Sequence, residues 1–195
     1  MTASLRIIPA REAGWSAVEG VMRAEATSRN CWCQFHALPN RDWAVSTVDS
    51  RRELFEEEVE RLDPPRGLVA LDDADPVGWV GVEPRARLAH VTTSRLVAAN
   101  SPDALDDAGV WTVFCILVPP ASRRRGIANA MLDAAIAHAA AAGATTIEGL
   151  PMDTDARAGT SMSGFSTGTL RQFTARGFAP IASLPSGRTY VRRTV

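Results

Sequence analysis

A chain of 195 residues with 46% apolar letters and a formal charge of −1 has the length of one domain and no global pull toward nucleic acid or an anionic membrane. Its 21 basic residues are all arginine, which excludes Schiff-base chemistry and a Walker-type phosphate loop, both of which need lysine. Any phosphate held here must be held by arginine forks or by backbone N–H groups.

Residues 5–8 read as a first strand. Residues 11–23 follow with Trp15, Val18, Val21 and Met22 at helical spacing. An irregular stretch, 28–46, carries Cys31-Trp32-Cys33-Gln34-Phe35-His36. With Cys115 the cysteines number three, and the C-x-C pair is too tight for an ordinary disulfide, so reduced thiols in a cytoplasmic protein are expected. Cys31, Cys33 and His36 offer soft metal ligands. No second ligand cluster is visible, and Trp32 and Phe35 favour packing or substrate contact, so no metal is expected. A second helix is expected from a cap at Asp49 or Ser50 through residue 62, with Leu54, Phe55, Val59 and Leu62 on one face and Glu56-Glu57-Glu58 toward solvent.

Two apolar runs, 67–71 and 77–82, flank Asp72-Asp73-Ala74-Asp75-Pro76 and predict a hairpin. Residues 85–107 are weakly patterned and read as an insertion with a surface role, His90 being its pocket candidate. The unbroken apolar run 110–118 predicts a central strand buried on both faces. Cys115 is a small core residue there, and Pro119-Pro120 ends the strand. Residues 124–142 form a strong helix with Ile127, Met131, Leu132, Ala135, Ile136 and Ala139 in one stripe. His138 lies off that stripe, at the expected surface. A strand at 145–150, a loop at 151–164, a helix at 166–176 and two strands at 180–184 and 188–193 complete the chain. The apolar stretch 127–147 is interrupted by Asp133 and His138, so no membrane span is expected. The first six residues carry no apolar signal core, consistent with a cytoplasmic expectation. The order is an α/β sandwich with a mixed sheet.

The informative segment is Val118-Pro119-Pro120-Ala121-Ser122-Arg123-Arg124-Arg125-Gly126-Ile127-Ala128. A buried strand ends, an arginine turn follows and a long helix begins. Unpaired N–H groups at a helix start, with the helix dipole behind them, suit a pyrophosphate. Gly126 lets a ligand approach the backbone, and Ala128 keeps the second turn thin. Physics alone leaves two other readings open: a solvated basic turn that caps a helix, and a nucleic-acid patch. The near-neutral charge and the lack of nearby stacking aromatics count against the patch.

Val-x-Pro-x-x-Arg-x-x-Gly-x-Ala between a strand and a helix resembles the acetyl-CoA signature of the GNAT N-acetyltransferases. Pro76-Val77-Gly78-Trp79-Val80 and Ala175-Arg176-Gly177-Phe178 resemble that family's second hairpin and its C-terminal helix–strand junction. The resemblance covers residues 5–193. It implies one domain over 1–195, with a mixed, mostly antiparallel central sheet flanked by helices and splayed at the cofactor site. It implies backbone pairing of Cys115, Ile116 and Val118 with pantetheine. Arg123, Arg124, Gly126 and Ala128 would hold the pyrophosphate. Arg125 would turn to solvent or to the 3′-phosphate, and Ser166 would lie where the family often touches pantetheine. Phe173, grouped with these cofactor residues, takes the place of the family's usual acid, a tyrosine, and cannot donate a proton.

The implied reaction is direct attack of an amine on acetyl-CoA in a ternary complex. The amine needs a base, and the oxyanion needs a strand N–H near Ile116 or Val118. Glu148, a carboxylate in an apolar strand, is the candidate base; its alternatives are an edge-exposed glutamate or a structural hydrogen-bond acceptor. Ser166 is the candidate acid, with Ser161 and Ser163 as substitutes. Tyr190, the only tyrosine, reads first as a half-buried strand residue. Asp153, Asp155 or one of the three helix glutamates is placed to face a cationic acceptor. The expected partner is a small-molecule or protein amine, with no nucleic acid and no membrane, and a homodimer is allowed. The alternative reading is an acyl-CoA-binding or sensing domain without catalysis.

Overall fold

Seven segments with β-branched and aromatic residues pair into one sheet, in the order β1-β2-β3-β4-β5-β7-β6. They are β1 (Leu5–Pro9), β2 (Leu68–Asp72), β3 (Asp75–Pro84), β4 (Val110–Leu117), β5 (Thr146–Gly149), β6 (Ala179–Ser183) and β7 (Thr189–Thr194). Neighbours run antiparallel except β4 and β5. The computed structural model describes residues 5–26, 28–155, 165–184 and 186–195. Ser161 and Ser163 lie outside the described residues.

Helices cover both faces. On one side α9 (Ile127–Ala141) lays its expected stripe, Ile127 through Ala139, on Val80, Val82, Val113, Ile147 and Val191. Gly78 permits this closeness: a Cβ there would meet the Met131 sulfur at 2.7 Å. On the other side α2 (Trp15–Ala24) and α6 (Val48–Arg61) bury Val18, Val21, Met22, Phe55 and Val59 against Trp79, Phe114 and Leu117.

Several boundaries move for local reasons. Gly14, at φ +82°, divides the first helical stretch into α1 (Ala10–Ala13) and α2. The cap of α6 is Thr47, whose side chain and that of Ser50 bond each other's backbone, in place of the expected Asp49 or Ser50. The irregular stretch folds into α3 (Ser28–Cys31), α4 (Gln34–Ala37) and α5 (Asn40–Val45). The insertion holds α7 (Ala89–Thr92) and α8 (Arg95–Asn100); it buries Arg85, Leu88, Val91 and Val97, so it belongs to the core as well as the surface. The helix expected from residue 124 begins at Ile127, because Arg124 (φ +62°) and Gly126 (φ +80°) are left-handed. The last helix is α10 (Leu170–Thr174), preceded by a 3-10 turn, Phe165–Thr167, and by the left-handed Gly168.

The sheet forks at its centre. β4 pairs β5 only from Val110↔Thr146 to Val113↔Gly149. Beyond Val113, β4 keeps β3 on one edge, through Gly81↔Cys115, Val80↔Ile116 and Trp79↔Leu117. The 3-10 turn Phe165–Thr167 packs against β4.

Candidate functional site

The arginine turn and the start of α9 enclose a cavity of about 250 Å³ at the end of β4. Val118, Ser122, Arg123, Arg124, Gly126, Ile127, Ala128, Asn129 and Gln172 line it. The first N–H groups returned to a helical carbonyl are those of Asn129 and Ala130, both on Gly126 O, at 3.0 and 3.1 Å. Those of Ile127 and Ala128 have no carbonyl within the helix, as at any helix start. Gly126 is required twice over. Its φ of +80° penalises any L side chain, and a Cβ there would meet nothing within 4 Å, so it would project into open space at the cradle. The chain has built a short concave run of donors and kept its floor bare, which fits an anionic group.

The three arginines have separate tasks. Arg123 donates from Nε to Val118 O at 3.0 Å and pairs with Glu25 through Nη2. Arg125 is tied to Asp72 at 2.5 Å while its side chain stays 47% exposed. Arg124 is exposed and, among the described residues, has neither ion pair nor hydrogen bond, leaving it the free cation of the turn.

The fork gathers most of the other expected residues. Cys115 and Ile116 are buried on β4. Ser166 is half-buried in the turn packed on that strand. Phe173 is fully buried, 5.0 Å from Phe178 between ring centroids, and closes the space above Gly149 and Gly168. It therefore backs the fork from behind. Glu148 is 1% exposed. Its oxygens accept from Arg85 Nη1 at 3.1 Å, Thr112 Oγ1 at 3.1 Å and Tyr190 Oη at 2.6 Å. Arg85 also bonds Ser101 Oγ and the carbonyls of Ala104 and Leu105, so this cluster binds the insertion to the sheet. Burial and then the bond to Glu148 push the Tyr190 hydroxyl well above its ordinary range.

A second buried polar cluster lies across the helix-covered face of β3. Arg66, 1% exposed, donates to Glu83 at 2.8 Å and pairs with Glu58, which also accepts from Gln34 Nε2. Of the three helix glutamates, Glu58 therefore turns inward, while Glu56 and Glu57 pair with Arg52 and Arg61 four residues away. Neither Arg66, Arg85, Glu83 nor Gln34 was singled out from the sequence. The signal available was a charged residue abutting an apolar strand run, as at Arg66-Gly67 and Val82-Glu83. Burial pushes Glu83 up to about 7, against the pull of Arg66. A carboxylate raised on folding holds its proton longer in the folded state than in the unfolded one, where it titrates near ~4.3. Its stabilising contribution is complete below that value and fades as pH rises through 7. Glu83→Gln should remove this dependence. In urea unfolding at pH 5, 6 and 7, stability of the variant relative to wild type should rise by on the order of 1 kcal/mol per pH unit. Parallel curves would show that Glu83 does not titrate there.

Cys33 is buried beside Cys115; burial is the first cause of its raised thiol. Among the described residues no three His, Cys, Asp or Glu side chains gather in a group able to hold a metal. His90 is engaged at both ring nitrogens, with Phe35 O and with Asn40 Oδ1 at 2.5 Å, and so clasps α7 to α4 and α5. His138 is half-buried, edge-on to Trp111 at 5.8 Å, rather than at the open surface. Asp153 Oδ1 accepts Asp155 N at 3.0 Å, the pattern of a turn former. Among the described residues no helix is long and apolar enough to cross a membrane.

The family model described as acetyltransferase (GNAT) family matches residues 32–158. No curated protein matches the sequence significantly. Among solved structures, a GCN5-related N-acetyltransferase from Kribbella flavida is 19% identical, with a TM-score of 0.58 over 98% of each chain. The PaiA N-acetyltransferase of Thermoplasma acidophilum, in complex with coenzyme A, is 12% identical, with a TM-score of 0.56 over 98% of this chain and 99% of that one. N-acetylglutamate synthase of Neisseria gonorrhoeae, complexed with coenzyme A and N-acetyl-glutamate, is 14% identical; its TM-score is 0.51 over all of this chain and 36% of its own. At these identities the likeness is one of fold.

Proposed function

The chain belongs to the GNAT acetyltransferase family, and from that premise we propose that it is an N-acetyltransferase carrying an acetyl group from acetyl-CoA to an amine in a ternary complex. The observation that carries this reading is the bare cradle at Gly126, set where the central strands part. In this reading residues 1–195 form one acetyltransferase domain. The N–H groups of Gly126, Ile127 and Ala128 hold the pyrophosphate, and Arg124 supplies the free positive charge. The open edge of β4 at Cys115 and Ile116, with Val118 just past the strand's end, takes the pantetheine arm as an added strand, and a main-chain N–H there supports the oxyanion. Ser166 stands beside that path. The acceptor is an amine of a small molecule or a protein, and a cytoplasmic location accords with the three free cysteines.

Cofactor affinity tests the division of labour among the arginines. Arg124→Ala should weaken acetyl-CoA binding by about 1.5–3 kcal/mol, the worth of a charged hydrogen bond. Arg123→Ala should cost less, because its guanidinium already serves Val118 and Glu25. Calorimetry with both variants reads this, and the reverse ranking would overturn the assignment.

A sensing domain is the second reading, and one observation favours it. Phe173 has no hydroxyl, and the Tyr190 hydroxyl is committed to Glu148, so no tyrosine is free to protonate a leaving thiolate. Thiol release from acetyl-CoA against a panel of polyamines, amino acids, aminoglycosides and peptide N-termini separates the two. Release with any amine supports the transferase; tight binding with no release across the panel supports the sensor.

A further inference from the structure

His36 sits at the fork, on the face of the sheet opposite α9. It belongs to α4, and its ring lies 5.7 Å from that of Phe114. Phe114 is the first residue of β4 past the last pair with β5. The Phe114 ring fills the space above Gly81, where a Cβ would come within 2.5 Å of it. The charged groups around His36 are Arg188, His90 and Arg66. Arg188 donates to Leu150 O at 3.1 Å and to Thr167 Oγ1 at 2.6 Å, on the β5 side of the fork. The imidazole thus lies over the fork on the side of the sheet that carries α2 and α6, with β4 on one hand and the end of β5 on the other.

Two further features mark this ring. Its neighbours on every side are engaged: His90 with Phe35 O and Asn40, Gln34 with Glu58, Arg66 with Glu58 and Glu83. His36 itself is half-buried and makes no hydrogen bond among the described residues. The backbone that presents it is strained, because Trp32 (φ +48°) and Cys33 (φ +56°) are consecutive left-handed residues and neither is glycine. Such strain persists only where the surrounding structure enforces it, and it collects at functional sites. Here it ends α3 and turns α4 so that His36 faces the fork while Cys33 is buried against Cys115.

We propose that His36 is the catalytic base of the acetyl transfer, receiving a proton from the acceptor nitrogen. The proposal rests on the transferase reading. A thioester placed along the edge of β4 would present its carbonyl at the fork, and an amine approaching from the His36 face would meet it there. The nitrogen lone pair forms the N–C bond, and one N–H proton passes to the free ring nitrogen of His36. The C–S bond then breaks, and its electron pair leaves on the thiolate. An acceptor that arrives as an ammonium first loses one proton to solvent, which frees the lone pair; the neutral amine then attacks, and the proton taken by His36 ends on the thiolate. The amine and acetyl-CoA become the amide and free coenzyme A, with no further reactant. Burial first, then Arg188, His90 and Arg66, push His36 down to about 4, so its lone pair is available throughout the neutral range. Nitrogen becomes acidic only as its bond to carbon forms, which is when so weak a base can take the proton. Glu148 lacks this freedom, since its oxygens already serve Arg85, Thr112 and Tyr190.

The test uses the full chain and whichever amine of the panel gives the fastest thiol release. His36→Ala and His36→Gln should each lower kcat on the order of 100-fold, the usual worth of a positioned base. Acetyl-CoA affinity by calorimetry should be unchanged in both. Added imidazole should restore part of the His36→Ala rate and none of the His36→Gln rate. In the coenzyme A-loaded wild type, the His36 ring resonances should shift with that amine and stay in place with its N-trimethyl analogue, which has no N–H to give. Wild-type kcat in both variants, or ring resonances indifferent to the amine, overturns the role of His36 alone. No release from wild type with any amine overturns the transferase reading, and this proposal with it.

Discussion

Gly126→Glu is expected to lower acetyl-CoA affinity at least about 200-fold, roughly 3 kcal/mol, while leaving the fold intact. Two costs fall on different measurements. An L residue held at φ +80° is strained by about 1–2 kcal/mol, which lowers the melting temperature rather than the affinity. The new carboxylate also places a negative charge where the proposed pyrophosphate would sit, at the helix start beside Arg124, and this is the cost that affinity reads. The fold should tolerate the change because a Cβ at this position meets nothing within 4 Å. Gly126→Ala carries the strain without the charge and separates the two costs. Calorimetry with acetyl-CoA and a thermal melt on each variant suffice. Unchanged affinity in Gly126→Glu would remove the cradle from the cofactor site.

Glu148→Ala should destabilise the protein by about 3–5 kcal/mol, the usual result of breaking a buried ion pair. The loss is large because of what remains behind. Arg85, fully buried, keeps its charge without the carboxylate, and the hydroxyls of Thr112 and Tyr190 lose their acceptor. Arg85 also gathers residues 101–105, so the insertion should loosen with it. Hydrogen exchange over 95–107 should rise together with the fall in the urea midpoint. Glu148→Gln decides between the two roles open to this residue. As an anchor, it costs stability and leaves the shape of the pH–rate profile unchanged. As the base, it keeps stability and removes the acidic limb. The geometry supports the anchor, and a stable Glu148→Gln protein lacking that limb would reverse the assignment.

The parts of this molecule that follow from local chemistry were legible in its sequence. Seven strands and the main helices are written in apolar spacing, since a period of two or of 3.6 fixes which side chains can share a buried face. The cradle was legible for the same reason. A buried strand, a proline stop, a glycine and an apolar helix lie next to one another in the chain, so their geometry needs no distant partner. With the arginine turn between them they carried the family resemblance, and the absence of lysine had already restricted phosphate recognition to arginine and backbone.

Tertiary structure alone decided what the charged side chains do. Arg123, Arg124 and Arg125 are identical letters in a row, yet Glu25 and Asp72, remote in sequence, claim two and leave the middle one free. Glu148 reads as a lone carboxylate until Arg85, 63 residues earlier, is found beside it. Glu58 looks like one of three solvated glutamates until Arg66 and Gln34 turn it inward. His36, read first with the cysteines, parts from them when a strained turn sends it to the fork and Cys33 to the core. Apolar burial is non-directional and reports itself in local periodicity. A buried charge is tolerated only beside its partner, and the partner is supplied by whichever distant segment the fold brings there.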